Sequence, residues 1–268
     1  MHDVTRYSQI MHDDLPLARR DVIAARLEGG QSVVAATLAT EFAVSEDAIR
    51  RDLRALAAEG RCRRVYGGAL PLSPATTPMA ARIETGHAEK TRLARAAVAT
   101  VERGELLFLD SGSTNLAIVD ALPEDADLVI ATNAIDIAAA VLRRQDLQLI
   151  VVGGSVDALV GGCVDAAATA VVGQMRISRT FLGACSVSAK DGIGAFHFGD
   201  ACFKRAVRAA SRRTLVLATA EKLKQSAPHV VASLSDIDTL VVEAGTDASQ
   251  CAALEAGGCR HVLVAGND

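Results

Sequence analysis

Two groups of residues in this 268-residue chain have types and spacings suited to chemistry. The first is a run of six arginines, Arg50, Arg51, Arg54, Arg61, Arg63 and Arg64, interrupted among acids only by Asp52 and Glu59. Guanidinium forks at that density suit phosphate or base-edge recognition, because each presents paired donors in a fixed plane. The second is a series of small polar turns that each follow a short apolar run: Asp110-Ser111-Gly112-Ser113-Thr114, Thr132-Asn133 and Gly153-Gly154. Small residues there allow backbone N–H groups to approach an anion at a helix start. Taken alone, the 110–114 turn fits an ordinary strand-to-helix connection equally well.

Other chemistries find little support. The six cysteines (62, 163, 185, 202, 251 and 259) contain no C-x-x-C pair, and the six histidines lack metal-ligand spacing, so no metal site is expected. Gly192-Ile193-Gly194 is followed by His197 where a dinucleotide fingerprint requires glycine, and no phosphate-binding lysine loop occurs, so no cofactor is expected. Aromatic residues make up 3% of the chain with no tryptophan, which disfavours a stacking platform for single strands. No apolar run reaches membrane-spanning length and the start is too polar for a signal peptide, so the expected location is the cytoplasm and no membrane partner is expected.

Net charge is −4, but its distribution is uneven. Residues 1–72 hold ten arginines against ten acids, which leaves all of the net negative charge to residues 73–268. A local basic block in an acidic protein directs attention to a DNA partner.

The elements that must carry these residues follow from the pattern. Residues 1–15 read as a flexible leader. A helix over 17–27 stops at Gly29-Gly30, a second covers 34–42, and Ser45 caps a third that runs to about Glu59. In that third helix Ile49, Leu53 and Leu56 share one face, which leaves Arg50, Arg51 and Arg54 on the other. A strand over 61–66 and the Gly67-Gly68 turn would place Arg61, Arg63 and Arg64 on a wing. Pro71, Pro74 and Pro78 mark a linker over 71–82, between a winged helix-turn-helix domain over 16–70 (helix-turn-helix about 33–53) and an α/β domain over 83–268. In the latter, a helix near 90–101 precedes strands expected at 106–109, 128–131, 149–152, 180–182, 215–218, 240–243 and 261–264. This alternation predicts an α/β fold with a mostly parallel sheet.

The segment Val44-Ser45-Glu46-Asp47-Ala48-Ile49-Arg50-Arg51-Asp52-Leu53, with Arg64-Val65-Tyr66-Gly67-Gly68-Ala69 beyond it, closely resembles the DNA-binding domain of DeoR-family bacterial transcription regulators. Ala48 stands where that family commonly has threonine, and Tyr66 where it commonly has histidine. Ser45 and the six arginines are then the expected DNA-binding residues.

The resemblance continues through the 110–114 loop, Leu182-Gly183-Ala184, Gly199–Arg205 and Ala218–Lys222. It implies a sensor domain with a fold like ribose-5-phosphate isomerase and CoA transferases, and a pocket for a phosphorylated sugar or related metabolite. Asp110, Ser111, Gly112, Ser113, Thr114, Thr132, Asn133, Gly153 and Gly154 would line it, with Lys204 as the first counter-charge to phosphate and Lys222 as the second. Glu221, which replaces a serine of the family pattern, would repel an anion unless it points away. The implied function is a repressor of a sugar operon, bound as a dimer or tetramer to double-stranded operator DNA and released by the metabolite. The alternative is an isomerase or acyl-transfer enzyme on the same fold, with Asp110 and Lys204 as a proton-transfer pair.

Overall fold

A computed structural model describes residues 16–28, 31–71 and 77–266. The expected leader over 1–15, the Gly29-Gly30 stop and residues 72–76 of the expected linker lie outside the described residues. The chain divides into two units, residues 1–77 and 78–268.

In the first unit, α1 (Pro16–Glu28), β1 (Val33–Val34), α2 (Ala35–Glu41) and α3 (Glu46–Ala58) precede the ribbon β2 (Arg63–Val65) and β3 (Gly68–Leu70). The three strands form an antiparallel sheet in the order β1-β3-β2. The Ser45 hydroxyl accepts the Ala48 N–H and satisfies one of the free donors at the start of α3. Ile49, Leu53 and Leu56 are buried with Ile23, Leu27 and Leu38, as the helical spacing requires. Asp52 shares that buried side, where Nε and Nη2 of Arg19 reach its carboxylate at 2.7 and 2.6 Å. It is therefore spent inside the unit and does not offset the arginine block.

The second unit opens with α4 (Met79–Ile83) and α5 (His87–Val98). There follow β4 (Leu106–Leu109), α6 (Ser113–Ala121), β5 (Val129–Thr132), α7 (Ile135–Val141), β6 (Gln148–Val151), β7 (Val156–Asp157), β8 (Gly162–Cys163) and α8 (Ala166–Val172). The remainder is β9 (Ile177–Leu182), β10 (Ser186–Ser188), β11 (Gly192–Ala195), α9 (Phe198–Ala209), β12 (Ser211–Ala218), β13 (His229–Ala232), β14 (Thr239–Val242), α10 (Ala248–Ala256) and β15 (His261–Val264).

Seven strands form one parallel sheet in the order β15-β14-β12-β9-β4-β5-β6. All seven coincide with expected strands to within a few residues. Successive residues of β4 serve opposite faces. Phe108 joins a core with Ala168, Phe203 and Leu254 of α8, α9 and α10, whereas Leu107 and Leu109 join Leu93, Ile118 and Ile137 of α5, α6 and α7. A second, antiparallel sheet, β10-β11-β13, was not expected. Among the described residues no helix is long and apolar enough to cross a membrane.

The strand order fixes where a site can form. From β4 the chain winds outward through β5 to β6, then returns to place β9 on the other side of β4 and winds outward again. The carboxyl ends of β4 and β9 therefore flank a crevice at the switch point of the sheet.

Candidate DNA-contacting face and anion site

On α3 the side chains of Arg50, Arg51 and Arg54 are all exposed, as the spacing predicted. They are not equivalent. The Arg50 fork is engaged by its own helix, with Nη2 2.6 Å from Glu46 and Nη1 3.2 Å from Asp47. Arg51 donates through Nε to the Asp47 carbonyl, and Arg61 faces Glu59 at 3.9 Å. Arg54 on the helix and Arg63 and Arg64 on β2 are exposed with no carboxylate at ion-pair distance among the described residues. Ser45 is exposed but commits its hydroxyl to the helix cap.

At the sheet switch point, Asp110 is fully buried and joins the two loops. Its Oδ2 accepts the Gly183 N–H at 2.8 Å and Lys204 Nζ at 2.8 Å, and its Oδ1 accepts the Ser111 N–H at 2.8 Å. Lys204 also lies 2.7 Å from Asp200, one turn earlier on α9. Burial alone would lower the Lys204 pKa, but the two carboxylates outweigh it and hold the ammonium charged. Burial pushes the Asp110 carboxyl upward against the pull of Lys204. Gly183 is required here, since a Cβ would stand 2.5 Å from the Ser111 carbonyl oxygen and 2.9 Å from Asp110.

Lys204, expected as the first counter-charge to phosphate, lies inside this buried network. The residue is 2% exposed and its ammonium is held by two acids, so it braces the crevice. Thr132 and Asn133 are likewise fully buried and engaged. The Thr132 hydroxyl donates to the Leu109 carbonyl at 2.6 Å, and Asn133 accepts from Ser111 N–H and donates to the Cys163 carbonyl. Gly154 sits beside the Asp165 carboxylate, to which the adjacent Ser155 N–H donates, whereas a Cβ on Gly153 would meet nothing within 4 Å. Asn115, which sequence reasoning missed, clasps the carbonyls of Asp110 and Phe181 and so ties β4 to β9.

The usable positive charge comes from elsewhere. Lys222 donates to the Thr114 hydroxyl at 3.3 Å and to the Leu217 carbonyl at 3.1 Å. Burial pushes its pKa down to about 8; Cys185 opposes this, and the charges of Arg82, Lys90 and Lys204 add to it. Lys90 is 7% exposed, and its ammonium donates only to the carbonyls of Arg82 and Thr85. Burial and then the charge of Arg82 lower its pKa. Arg82 donates through Nη2 to the Leu159 carbonyl at 2.6 Å, while its Nε is buried without an acceptor.

Arg82, Lys90 and Lys222 thus form a cluster of cations in mutual electrostatic reach. Among the described residues none has a carboxylate at ion-pair distance. From further off Asp200 and Glu221 attract Arg82, and Glu221 and Glu89 attract Lys90, while the Glu221 carboxylate accepts a hydrogen bond from Gln225 at 2.6 Å. Beside Lys222, α6 begins with no side-chain cap, so its first backbone donors face the crevice unsatisfied from within. Uncapped donors, a helix dipole and three unmatched cations converge where an anion would be held.

Arg82 and Lys90 precede the first strand of the sheet, and nothing in their local pattern announced them. A signal for the buried ion pair did exist: Asp200, Lys204 and Val207 follow helical spacing on the buried face of α9, and charges on such a face require partners.

Residues 19–75 match a family model described as the DeoR-like helix-turn-helix domain, and residues 85–244 match the DeoR C-terminal sensor domain. The chain is 31% identical over 208 residues to the glycerol-3-phosphate regulon repressor of Escherichia coli K12, covering 77% of this chain and 82% of that protein. It is 27% identical over 250 residues to a putative aga operon transcriptional repressor of Escherichia coli O157:H7, covering 92% and 93% respectively. Among solved structures, ribose 5-phosphate isomerase A from Neisseria gonorrhoeae aligns with a TM-score of 0.38 at 17% identity. That alignment covers 52% of this chain and about half, 54%, of the isomerase.

Proposed function

This chain belongs to the DeoR family, and on that premise we propose that it is a sequence-specific DNA-binding repressor of a carbohydrate operon, released by a phosphorylated sugar-type effector. The observation that carries the reading is the face made by α3 and β2, on which Arg54, Arg63 and Arg64 stand exposed without a carboxylate partner among the described residues. A helix presented in this way suits a major groove, and the ribbon arginines suit the phosphates beside it. Palindromic operators would call for at least a dimer.

The effector half rests on the cation cluster. A phosphate at the start of α6 would accept its free backbone donors and the Lys222 ammonium, with Arg82 and Lys90 supplying further positive charge. Ser111, Gly112, Ser113 and Thr114 form the cradle, and Asp110 with Lys204 keeps its two sides together. The repressors of the glycerol-3-phosphate regulon and the aga operon, as relatives, support a ligand from carbohydrate metabolism.

The catalytic alternative is disfavoured by the same geometry. Both oxygens of Asp110 are occupied and the residue is sealed from solvent, so it is poorly placed to take a proton from a substrate.

The test uses the full chain to recover duplexes from a randomised DNA pool, then measures their release by a panel of sugar phosphates and the dephosphorylated sugars. Enrichment of a defined sequence, released only by phosphorylated members, is expected. Failure to enrich any sequence, together with turnover of a pentose phosphate, would replace the repressor reading with the catalytic one.

A further inference from the structure

We infer that Tyr66 is itself a DNA-contacting residue, held out on the wing to lay its ring against the sugars and base edges of the duplex. The inference rests on the DNA-binding reading above and adds to it a contact that carries no charge. Tyr66 is completely exposed, at 108% of its reference area, in a chain with only two tyrosines, six phenylalanines and no tryptophan. Leaving a large aromatic ring entirely in water forgoes burial that would otherwise favour folding. Nothing within the described residues of the fold uses it.

Its mounting is rigid. The strands β2 and β3 are joined by Tyr66 and Gly67 alone, with Val65 opposite Gly68. Gly67 takes φ +81°, which a side chain would resist, and its carbonyl accepts the Ala35 N–H at 2.8 Å, so the tip is tied to the start of α2. Gly68 lies so close to β1 that a Cβ would stand 2.0 Å from the Val33 carbonyl oxygen. The tip therefore cannot fold back to bury the ring without breaking these contacts. A tyrosine on such a mount has only two side-chain torsions to fix on binding, which keeps the entropic cost of a contact small.

The surroundings select the partner. Arg63, Arg64 and Val65 of β2 are exposed along with Tyr66, and the ribbon packs against α3, which carries Arg51 and Arg54. A ring flanked by unmatched guanidinium groups fits a polyanion that also offers apolar surface. Duplex DNA provides both in regular alternation, through phosphates outside and sugars and bases within the groove. The phenol can in addition donate to a phosphate or base acceptor.

The test compares the unaltered full chain with Tyr66→Ala, Tyr66→Phe and Arg64→Ala on duplexes that the unaltered chain recovers from a randomised pool. Affinity is measured by anisotropy across a salt series. Base–aromatic contacts in other systems lead to an expected loss of about tenfold for Tyr66→Ala, with the salt slope unchanged and Tyr66→Phe near the unaltered value. Arg64→Ala should instead reduce the slope by about one. Binding of Tyr66→Ala within about twofold of the unaltered chain would overturn the inference and leave the DNA reading intact. A loss in Tyr66→Ala that came with a reduced slope would also overturn it, since the ring would then act only by placing the arginines. Should the unaltered chain recover no duplex, the DNA reading fails and the inference fails with it.

Discussion

Lys222 should make effector binding fall as pH rises through 8. Its ammonium lies beside Thr114 at the start of α6, and burial with three nearby cations depresses its pKa to about 8. In the unliganded chain it is about nine-tenths protonated at pH 7 and about one-tenth at pH 9, from the ordinary titration relation. If the bound phosphate requires the ammonium, Kd rises by about tenfold between those values, or about 1.4 kcal/mol. At the acid end a phosphate monoester loses its second charge near pH 6, so affinity should be highest between about 6.5 and 7.5.

Proton linkage supplies a second readout. Binding at pH 9 should take up close to one proton and binding at pH 7 almost none, which calorimetry in two buffers of different ionisation heat resolves. Lys222→Met should bind weakly at every pH and lose the decline above 7.5. A Kd that stays flat from pH 6.5 to 9 with no proton uptake would refute the reasoning. Stability carries the matching sign. The unfolded chain, with an ordinary lysine near 10.4, holds the proton that the folded chain has lost, so this residue makes stability rise with pH between about 8 and 10.4.

Three further outcomes follow from the geometry. Arg54→Ala should cost operator binding about 1–3 kcal/mol in a gel-shift titration, while Arg50→Ala should cost less, because Glu46 and Asp47 already hold that fork. Lys204→Ala should destabilise the sensor unit by about 3–5 kcal/mol in urea unfolding at pH 7, since it leaves Asp110 and Asp200 buried without a cation. Ser45→Ala should cost about 1 kcal/mol through loss of the α3 cap, read as a lower denaturation midpoint of the DNA-binding unit.

The parallel sheet was legible because each strand is a short apolar run between polar turns, and β4 and β15 fall on the same residues in sequence and structure. The β10-β11-β13 sheet was not. Gly192–Ala195 reads as a glycine-rich loop, and only its distant partner, with Ile193 opposite Ala232, makes it a strand. The arginine face was legible for the same local reason as the sheet: helical spacing places Ile49, Leu53 and Leu56 inward, and the remainder follows. The anion site was half legible. Its loop is contiguous, whereas the identity of the free cations depends on which lysine meets carboxylates across the fold. Lys204 and Asp110 are separated by 94 residues, and no local pattern declares that pairing.

This division between neutralised and free cations bears on how an effector could act. A ligand shifts a population only through different affinity for the two arrangements. Asp110, Lys204 and Asp200 are sealed and set one ammonium between two carboxylates, so an anion gains little by approaching them. Arg82, Lys90 and Lys222 are the groups whose energy an anion would alter most, because among the described residues none of them has a carboxylate at ion-pair distance. Two of these three lie on or beside α4 and α5, the first elements after residue 77, whereas the third and the phosphate cradle belong to the sheet's carboxyl end. An anion that draws Arg82 and Lys90 toward the start of α6 therefore acts on the part of the sensor unit nearest in sequence to the DNA-binding unit. A neutral sugar, which would leave those charges as they are, has no comparable means of favouring one arrangement, and that is the physical reason phosphorylation of the effector should decide release.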